Sequence, residues 1–279
     1  RLGDTLSDDQ FWDRTFDFCM SNPPYGVDWK ASQESVKKES LTPNSRFSHG
    51  LPAVGDGQML FLSHLASKMR PAHDGGGRAG IVLNGSPLFN GAAESGPSLI
   101  RQWLLESDLV EAIVALPTNM FFNTGIATYI WVLTNKKPKH RAGKVQLIDA
   151  SGMWQKMRKS LGSKRKELSD AHIDHITQLF GRFEEATDAD GKPISRIFAN
   201  EAFGYHTITV ERPLRMRYRV TPRVLKAYEN SIMSLQANLV GDPKAKFLVA
   251  LLLSENEEGW SSPDDFMAAL KDASSKLKN

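Results

Sequence analysis

The sequence predicts an α/β unit with a mostly parallel sheet, followed by a mainly helical extension. Between residues 15 and 150, short apolar runs alternate with helix-like apolar stripes, the pattern of a sheet with crossover helices. Beyond residue 151 the strand signals give way to longer helical patterns. We therefore predict an α/β unit over residues 1–150 and a basic, mainly helical extension over residues 151–279.

The individual elements follow from periodicity and from flanking turn residues. Predicted strands lie at residues 15–20, 79–84, 110–116, 128–134 and 144–149, and predicted helices lie at 58–69, 98–106, 154–183 (with a break at Gly162), 224–236 and 246–253. The first strand, TFDFCM, is short, apolar and aromatic, which is typical of a central strand. A long polar loop is predicted over residues 27–57.

Composition narrows the class of protein. The chain has 279 residues and is 41% hydrophobic, enough for a sizeable core. Its single cysteine, Cys19, excludes an internal disulfide framework and favours the cytoplasm. No apolar run is long enough to predict a membrane span. The net charge of +3 is unevenly spread, because residues 136–166 hold eleven Lys/Arg and one acidic residue.

The segment CMSNPPYGVDW begins at the end of the first predicted strand and continues into a turn. Ligands of open α/β sheets bind at the carboxyl ends of strands. Two prolines stiffen this turn and present carbonyls, so the Asn22 side-chain oxygen and the Pro23 carbonyl offer two acceptors beside the flat ring of Tyr25. Accepting both protons of a planar amino group makes its nitrogen nucleophilic, which favours methyl transfer from a sulfonium donor. The alternative is a purely structural Asn-Pro-Pro turn with a packed Tyr25.

The tetrapeptide from Asn22 to Tyr25 resembles the catalytic motif of amino-group methyltransferases that use S-adenosylmethionine. The segments DGQMLFLSHLASKM, GGGRAGIVLNGSPLF, IRQWLLESDLVEAIVALPTNMFFNTGIATYIWVLTN, VQLIDAS and FGYHTITVERPLRMRY follow in an order similar to the modification (M) subunits of type I restriction-modification systems. The resemblance covers about residues 16–218. It implies a Rossmann-like class I methyltransferase fold and adenine-N6 methylation of DNA. It also implies two partners, a specificity subunit and a restriction subunit.

The resemblance assigns roles to particular residues. Asn22, Pro23, Pro24 and Tyr25 are expected to form the catalytic tip, with Tyr25 stacked on a target adenine flipped out of the DNA. One of the adjacent phenylalanines, Phe121 or Phe122, is expected to cover the other face of the base.

One part of the resembled fold is missing from the sequence. No glycine-rich cofactor turn and no acidic ribose ligand occur upstream of Phe16, and Gly75–Gly77 follows a predicted helix rather than a strand. The chain is therefore expected to be the carboxyl-side part of the enzyme, inactive alone, with most of the S-adenosylmethionine site upstream.

Basic residues suggest how DNA is held. The residues predicted to contact the DNA backbone are Lys156, Arg158, Lys159, Lys164, Arg165 and Lys166. The alternative is a solvated charged face. His172 and His175 lie three residues apart, but no Cys or acidic cluster completes a metal site, so no metal is expected.

Two other functions remain open. A protein-glutamine methyltransferase shares the same tetrapeptide and would not need the basic region. A non-catalytic DNA-binding or assembly module would keep the fold without the chemistry. Salt-dependent DNA binding and a methyl-transfer assay separate these from a DNA methyltransferase.

Overall fold

The computed structural model describes residues 2–205, 208–211 and 260–276. Two compact units divide the chain, Arg1–Thr207 and Ile208–Asn279. Residues 151–205 thus belong to the first unit, whereas the sequence placed a boundary near residue 151. In the second unit the described helix is Pro263–Lys276, and the Ser262 hydroxyl accepts a hydrogen bond from the Asp265 N–H at its start.

Strands of the first unit form a mixed sheet and a separate hairpin. The strands are β1 (Phe18–Ser21), β2 (Arg78–Asn84), β3 (Val110–Ala115), β4 (Thr128–Thr134), β5 (Lys144–Asp149), β6 (Gln155–Leu161), β7 (Lys164–Glu167), β8 (Ala186–Thr187) and β9 (Pro193–Ala199). The sheet order is β1-β2-β4-β3-β5-β9-β8, and β6 pairs with β7 alone. Parallel pairing joins β1 to β2 and β3 to β5, while β4 runs antiparallel between β2 and β3.

Helices cover both faces of this sheet. They are α1 (Gln33–Ser40), α2 (Gln58–Ser67), α3 (Ser86–Phe89), α4 (Gly96–Glu106) and α5 (Asp170–Arg182); the helix of the second unit is α6. On one face, Leu62 of α2 and Leu104 of α4 pack with Ile81 of β2 in the main core. On the other face, Leu179 of α5 packs with Ile148 of β5. The order of strands and helices matches the predicted α/β fold. The prediction of a mostly parallel sheet is wrong, because among the described residues only two of the six strand pairs in the sheet are parallel.

The first strand is an edge strand, not the predicted central one. Within the described ranges, β1 pairs only with β2. Its Cys19 is buried against the main core, whereas Phe18 and Met20, on the other face, are 78% and 89% exposed. The apolar and aromatic composition misled the prediction, because among the described residues nothing covers the second face or the free edge of β1.

Residues 27–57, predicted as a long polar loop, contain a helix and a small buried core. This segment contains α1, and Val36 is fully buried there beside Trp29 and Phe47. The Arg46 guanidinium donates to the carbonyls of Thr5 and Leu6 and so ties the N-terminal segment to the same small core. Tertiary contacts therefore order a stretch that looks like a polar loop.

The helix predicted from residue 154 is wrong over its first part. β6 and β7 form an antiparallel hairpin with Leu161 opposite Lys164, leaving a two-residue turn of Gly162 and Ser163. Gly162 has a φ of +58°, a left-handed conformation that suits such a turn and breaks a helix. The helix begins only after Ser169. The helices predicted at residues 224–236 and 246–253 lie outside the described residues.

None of the described helices is both long and apolar enough to cross a membrane.

Candidate active site

The tip from Asn22 to Tyr25 lies at the carboxyl end of β1, as predicted. Pro23 is buried. Just beyond the tip, the Trp29 N–H donates to the Val54 carbonyl at 3.0 Å, and the Trp29 indole N–H donates to the Ala53 carbonyl at 3.0 Å. The tip is thus held between a strand and an anchored tryptophan, and its backbone is fixed at both ends.

A hydrogen bond inside the tip joins the two polar side chains of the motif. The Tyr25 hydroxyl donates to Oδ1 of Asn22 at 2.8 Å. Burial raises the pKa of Tyr25 to about 12, so this hydroxyl remains a donor at neutral pH. An amide oxygen has two lone pairs, so Asn22 keeps one acceptor position. The Pro23 carbonyl accepts no hydrogen bond within the part of the chain that the structure describes.

The connection between β3 and β4 lies at the same end of the strands as the tip. Asn119 closes this loop by donating its N–H to the Gly125 carbonyl at 3.3 Å. The ring of Phe121 packs edge-on against the Tyr25 ring, with centroids 5.9 Å apart and planes at 81°. Phe122 is 68% exposed. Of the two phenylalanines that the sequence left as alternatives, Phe121 is the neighbour of Tyr25.

The hairpin of β6 and β7 carries all six predicted DNA-backbone residues. None of the six forms an ion pair with a carboxylate in the described ranges. Lys156 and Lys166 stand directly opposite each other, an arrangement of like charges that destabilises a hairpin. Lys166 also lies over the Trp154 ring, 3.9 Å from its centroid. The hairpin is a surface of uncompensated positive charge.

Other residues of the basic stretch serve the fold. Lys137 pairs with Asp108 at 2.5 Å, and Arg141 pairs with the buried carboxylate of Glu111 at 3.2 Å. Both cations belong to the connection between β4 and β5, which lies at the end of the strands opposite to the tip. The eleven-to-one charge excess in the sequence therefore overstates the surface available to a polyanion.

A small cavity adjoins the tip on the exposed face of β1. Its volume is about 340 Å³, and its lining is Met20, Ser21, Asn22, Gly80, Val82 and Ile130. A larger cavity of about 1960 Å³ lies on the other sheet face between α4 and β9, and its lining includes neither Asn22 nor Phe121. We place the candidate site beside the smaller cavity, because Asn22 lines this cavity and also accepts the hydrogen bond from Tyr25, whose ring contacts Phe121.

The structure adds contacts that the sequence did not indicate. The hairpin docks on the β3–β4 loop: the Ser163 N–H donates to the Phe122 carbonyl at 2.8 Å, and the N–H groups of Arg165 and Lys166 donate to the Asn119 carbonyl at 3.0 and 3.2 Å. The sequence could have predicted the hairpin, because two residues of the type Gly-Ser between two runs are typical of a β-hairpin turn. Nothing in the sequence indicates where the hairpin docks.

His172 and the glycines at 75–77, which the sequence also singled out, have structural roles. The His172 ring nitrogen Nδ1 accepts from the Ser169 N–H at 3.2 Å, while the Ser169 hydroxyl accepts from the His172 N–H, so this histidine caps α5. In the described ranges, no group of three or more potential ligands is arranged to hold a metal ion. The glycines at 75–77 form the turn before β2.

Comparisons with known proteins agree with this architecture. The family model described as N-6 DNA Methylase matches residues 1–202. The MjaIX methylase subunit of a type I restriction enzyme from Methanocaldococcus jannaschii is 30% identical over 194 residues, which cover 68% of this chain and 32% of the relative. The HindI methylase subunit from Haemophilus influenzae is 28% identical over 200 residues, covering 71% of this chain and 40% of the relative.

A solved structure also aligns with the chain. The type I restriction-modification methyltransferase subunit from Streptococcus thermophilus aligns with a TM-score of 0.57 at 29% identity, covering 71% of this chain and 38% of that one. This likeness confirms the predicted class I methyltransferase fold. The chain spans about a third of the length of the first curated relative and two fifths of the Haemophilus one. By the family match over residues 1–202, the chain belongs to the N-6 DNA methylase family.

Proposed function

We propose that the complete enzyme containing this chain methylates N6 of adenine in DNA, as the modification subunit of a type I restriction-modification complex. The observation that carries the proposal is the convergence of Asn22, Pro23, Tyr25 and Phe121 at one edge of the sheet, where the Tyr25 hydroxyl and ring contact Asn22 and Phe121. Family membership and relatives named as type I methylase subunits support it.

The tip would act on the amino group of the base. The Asn22 side-chain oxygen and the Pro23 carbonyl each accept one amino proton, which localises the nitrogen lone pair and aims it at the methyl donor. The stiff Pro-Pro turn holds both acceptors in place before the base arrives, the preorganisation that stabilises a developing charge. The role of Pro24 is to fix this backbone.

The target base would lie between Tyr25 and Phe121. A flipped base is held by stacking on aromatic faces and by hydrogen bonds to its edge. The two rings now touch edge-on, so one of them must rotate to admit the base. Phe122, on the exposed side of the loop, is left for contacts outside the pocket.

S-adenosylmethionine would supply the methyl group when bound. The cavity beside Asn22 is lined by apolar side chains, Gly80, Ser21 and Asn22, with no carboxylate for ribose hydroxyls. These residues fit only a part of the cofactor. We propose that most of the site is formed by sequence upstream of this chain, in agreement with the open edge and exposed apolar face of β1.

DNA and two further subunits are the proposed partners. The uncompensated hairpin suits phosphate contacts, which position DNA without reading its sequence. A separate specificity subunit would read the sequence, and a restriction subunit would cleave. The cytoplasm is the proposed location, in keeping with a single, buried Cys19.

The experiment is a methyl-transfer assay with the complete enzyme and labelled S-adenosylmethionine. We expect label in DNA, recovered as N6-methyladenine. Label in glutamine of a protein substrate would support a protein methyltransferase instead. DNA binding without label in either substrate would support a non-catalytic module and contradict the proposal.

A further inference from the structure

The β6–β7 hairpin and the loop of Phe121 and Phe122 are joined through their main chains. Three N–H groups near the hairpin turn, those of Ser163, Arg165 and Lys166, donate to the carbonyls of Phe122 and Asn119. Main-chain hydrogen bonds fix a loop more firmly than side-chain contacts, because both partners lack rotamer freedom. The hairpin and the loop are therefore tied together through backbone atoms.

The contact is also tight in the steric sense. A Cβ added to Gly162 would lie 2.6 Å from the Phe122 carbonyl oxygen and 3.1 Å from its ring. A residue without a side chain is thus required twice here, for its left-handed φ of +58° and for the close approach to the loop.

The loop in turn reaches the reacting centre. Phe121 contacts the Tyr25 ring, and the Tyr25 hydroxyl is bonded to Asn22. A continuous series of contacts therefore runs from the cationic hairpin to the acceptor in the tip. At the hairpin end, Lys156 faces Lys166 without a carboxylate partner among the described residues, a repulsion that a bound polyanion relieves.

We infer that the β6–β7 hairpin is a positioning element for the target-base loop: it holds Phe121 beside Tyr25 through the Gly162 turn, so that contact with the DNA backbone and capture of the base are mechanically coupled. This inference rests on the proposed function and adds a role that phosphate contact alone does not give. Gly162 and Ser163 are positioning residues, since they touch the loop and not the base.

The test compares Gly162→Ala with Gly191→Ala in the complete enzyme. Gly191 is also left-handed, with a φ of +79°, but a Cβ there meets nothing within 4 Å. Both variants suffer similar backbone strain, and only Gly162→Ala pushes the hairpin from the loop. Should Gly162→Ala fail to fold, Gly162→Asn and Gly191→Asn replace the pair, because Asn tolerates left-handed backbone best after Gly.

Three readouts are compared. We expect kcat for methyl transfer to fall about tenfold to a hundredfold in Gly162→Ala only, the range that a misplacement of about 1 Å produces. We expect a weaker fluorescence rise from 2-aminopurine placed at the target adenine, with DNA affinity and its salt dependence unchanged. Amide exchange of Ser163 and Arg165 should be faster in Gly162→Ala than in the control.

If amide exchange is faster in Gly162→Ala but its kcat and base flipping equal those of the Gly191→Ala control, the coupling between the hairpin and base capture is overturned. Unchanged exchange at Ser163 and Arg165 would overturn the positioning role itself. A wild-type enzyme that transfers no methyl group contradicts the proposed function, and that result is obtained before any variant is compared.

Discussion

Neutralising part of the cationic hairpin tests whether it tracks DNA phosphates. Lys156 and Arg158 lie two positions apart in β6, and both are exposed on the cationic hairpin. If each contacts one phosphate, Lys156→Gln/Arg158→Gln should make the log–log salt slope of DNA binding shallower by about 1.8, from about 0.9 per contact. Between 50 and 200 mM salt, that difference corresponds to an about twelvefold smaller loss of affinity.

The matched control removes two charges at the end of the strands opposite to the tip. Lys136 and Lys139 are exposed and follow β4, away from the tip, so Lys136→Gln/Lys139→Gln should leave the slope unchanged. Binding is measured by titration of the assembled complex at several salt concentrations. Because Lys156 opposes Lys166, the hairpin variant should not lose stability. Equal slopes in wild type and both variants would refute phosphate tracking and leave a solvated charged face.

Three further predictions concern the tip and the core. Tyr25→Phe keeps the stacking ring and should retain most single-turnover activity, whereas Tyr25→Ala should lose about 1–3 kcal/mol of base stacking; equal losses would count against a stacking role. Glu111→Ala removes the carboxylate partner of buried Arg141 and should lower the free energy of unfolding by about 3–5 kcal/mol in denaturant titrations, against about 0.5 kcal/mol or less for exposed Glu106→Ala. Burial first, and the charge of Arg46 second, lower the pKa of His64 to about 4 in the folded protein. Below pH 6.5, the pKa of an unfolded histidine, the unfolded state therefore binds more protons, and the free energy of unfolding should fall by about 3 kcal/mol between pH 6.5 and 4. His64→Gln should flatten this pH dependence.

The sequence predicted the elements whose apolar periodicity matches their final burial. β2 to β5, α2 and α4 lie within a few residues of their predicted bounds, because each buries one clear stripe or run. α1 was missed because its order comes from Val36 packing with Trp29 and Phe47, which lie apart in the sequence. The hairpin was mistaken for a helix because a run of lysines and arginines fits either structure.

The site was predictable where it is local in sequence and not where it depends on tertiary contact. Asn22 to Tyr25 form one turn, so their convergence followed from proline stiffness and strand position. Which phenylalanine meets Tyr25 depends on how the β3–β4 loop folds across the sheet edge. The bond from the Tyr25 hydroxyl to Asn22 also depends on the exact turn geometry, which residue types alone do not specify.

The most direct measurement of the central claim is the single-turnover rate of adenine methylation by the complete enzyme with Asn22→Ala. Loss of one acceptor at the developing charge should slow methyl transfer by about 10²–10³-fold, with roughly 2.7–4 kcal/mol lost, while DNA affinity and the melting temperature stay unchanged. Asn90→Ala, at an exposed asparagine outside the tip, should react at the wild-type rate. An Asn22→Ala enzyme that methylates adenine as fast as Asn90→Ala would contradict the assignment of this tip as the catalytic centre.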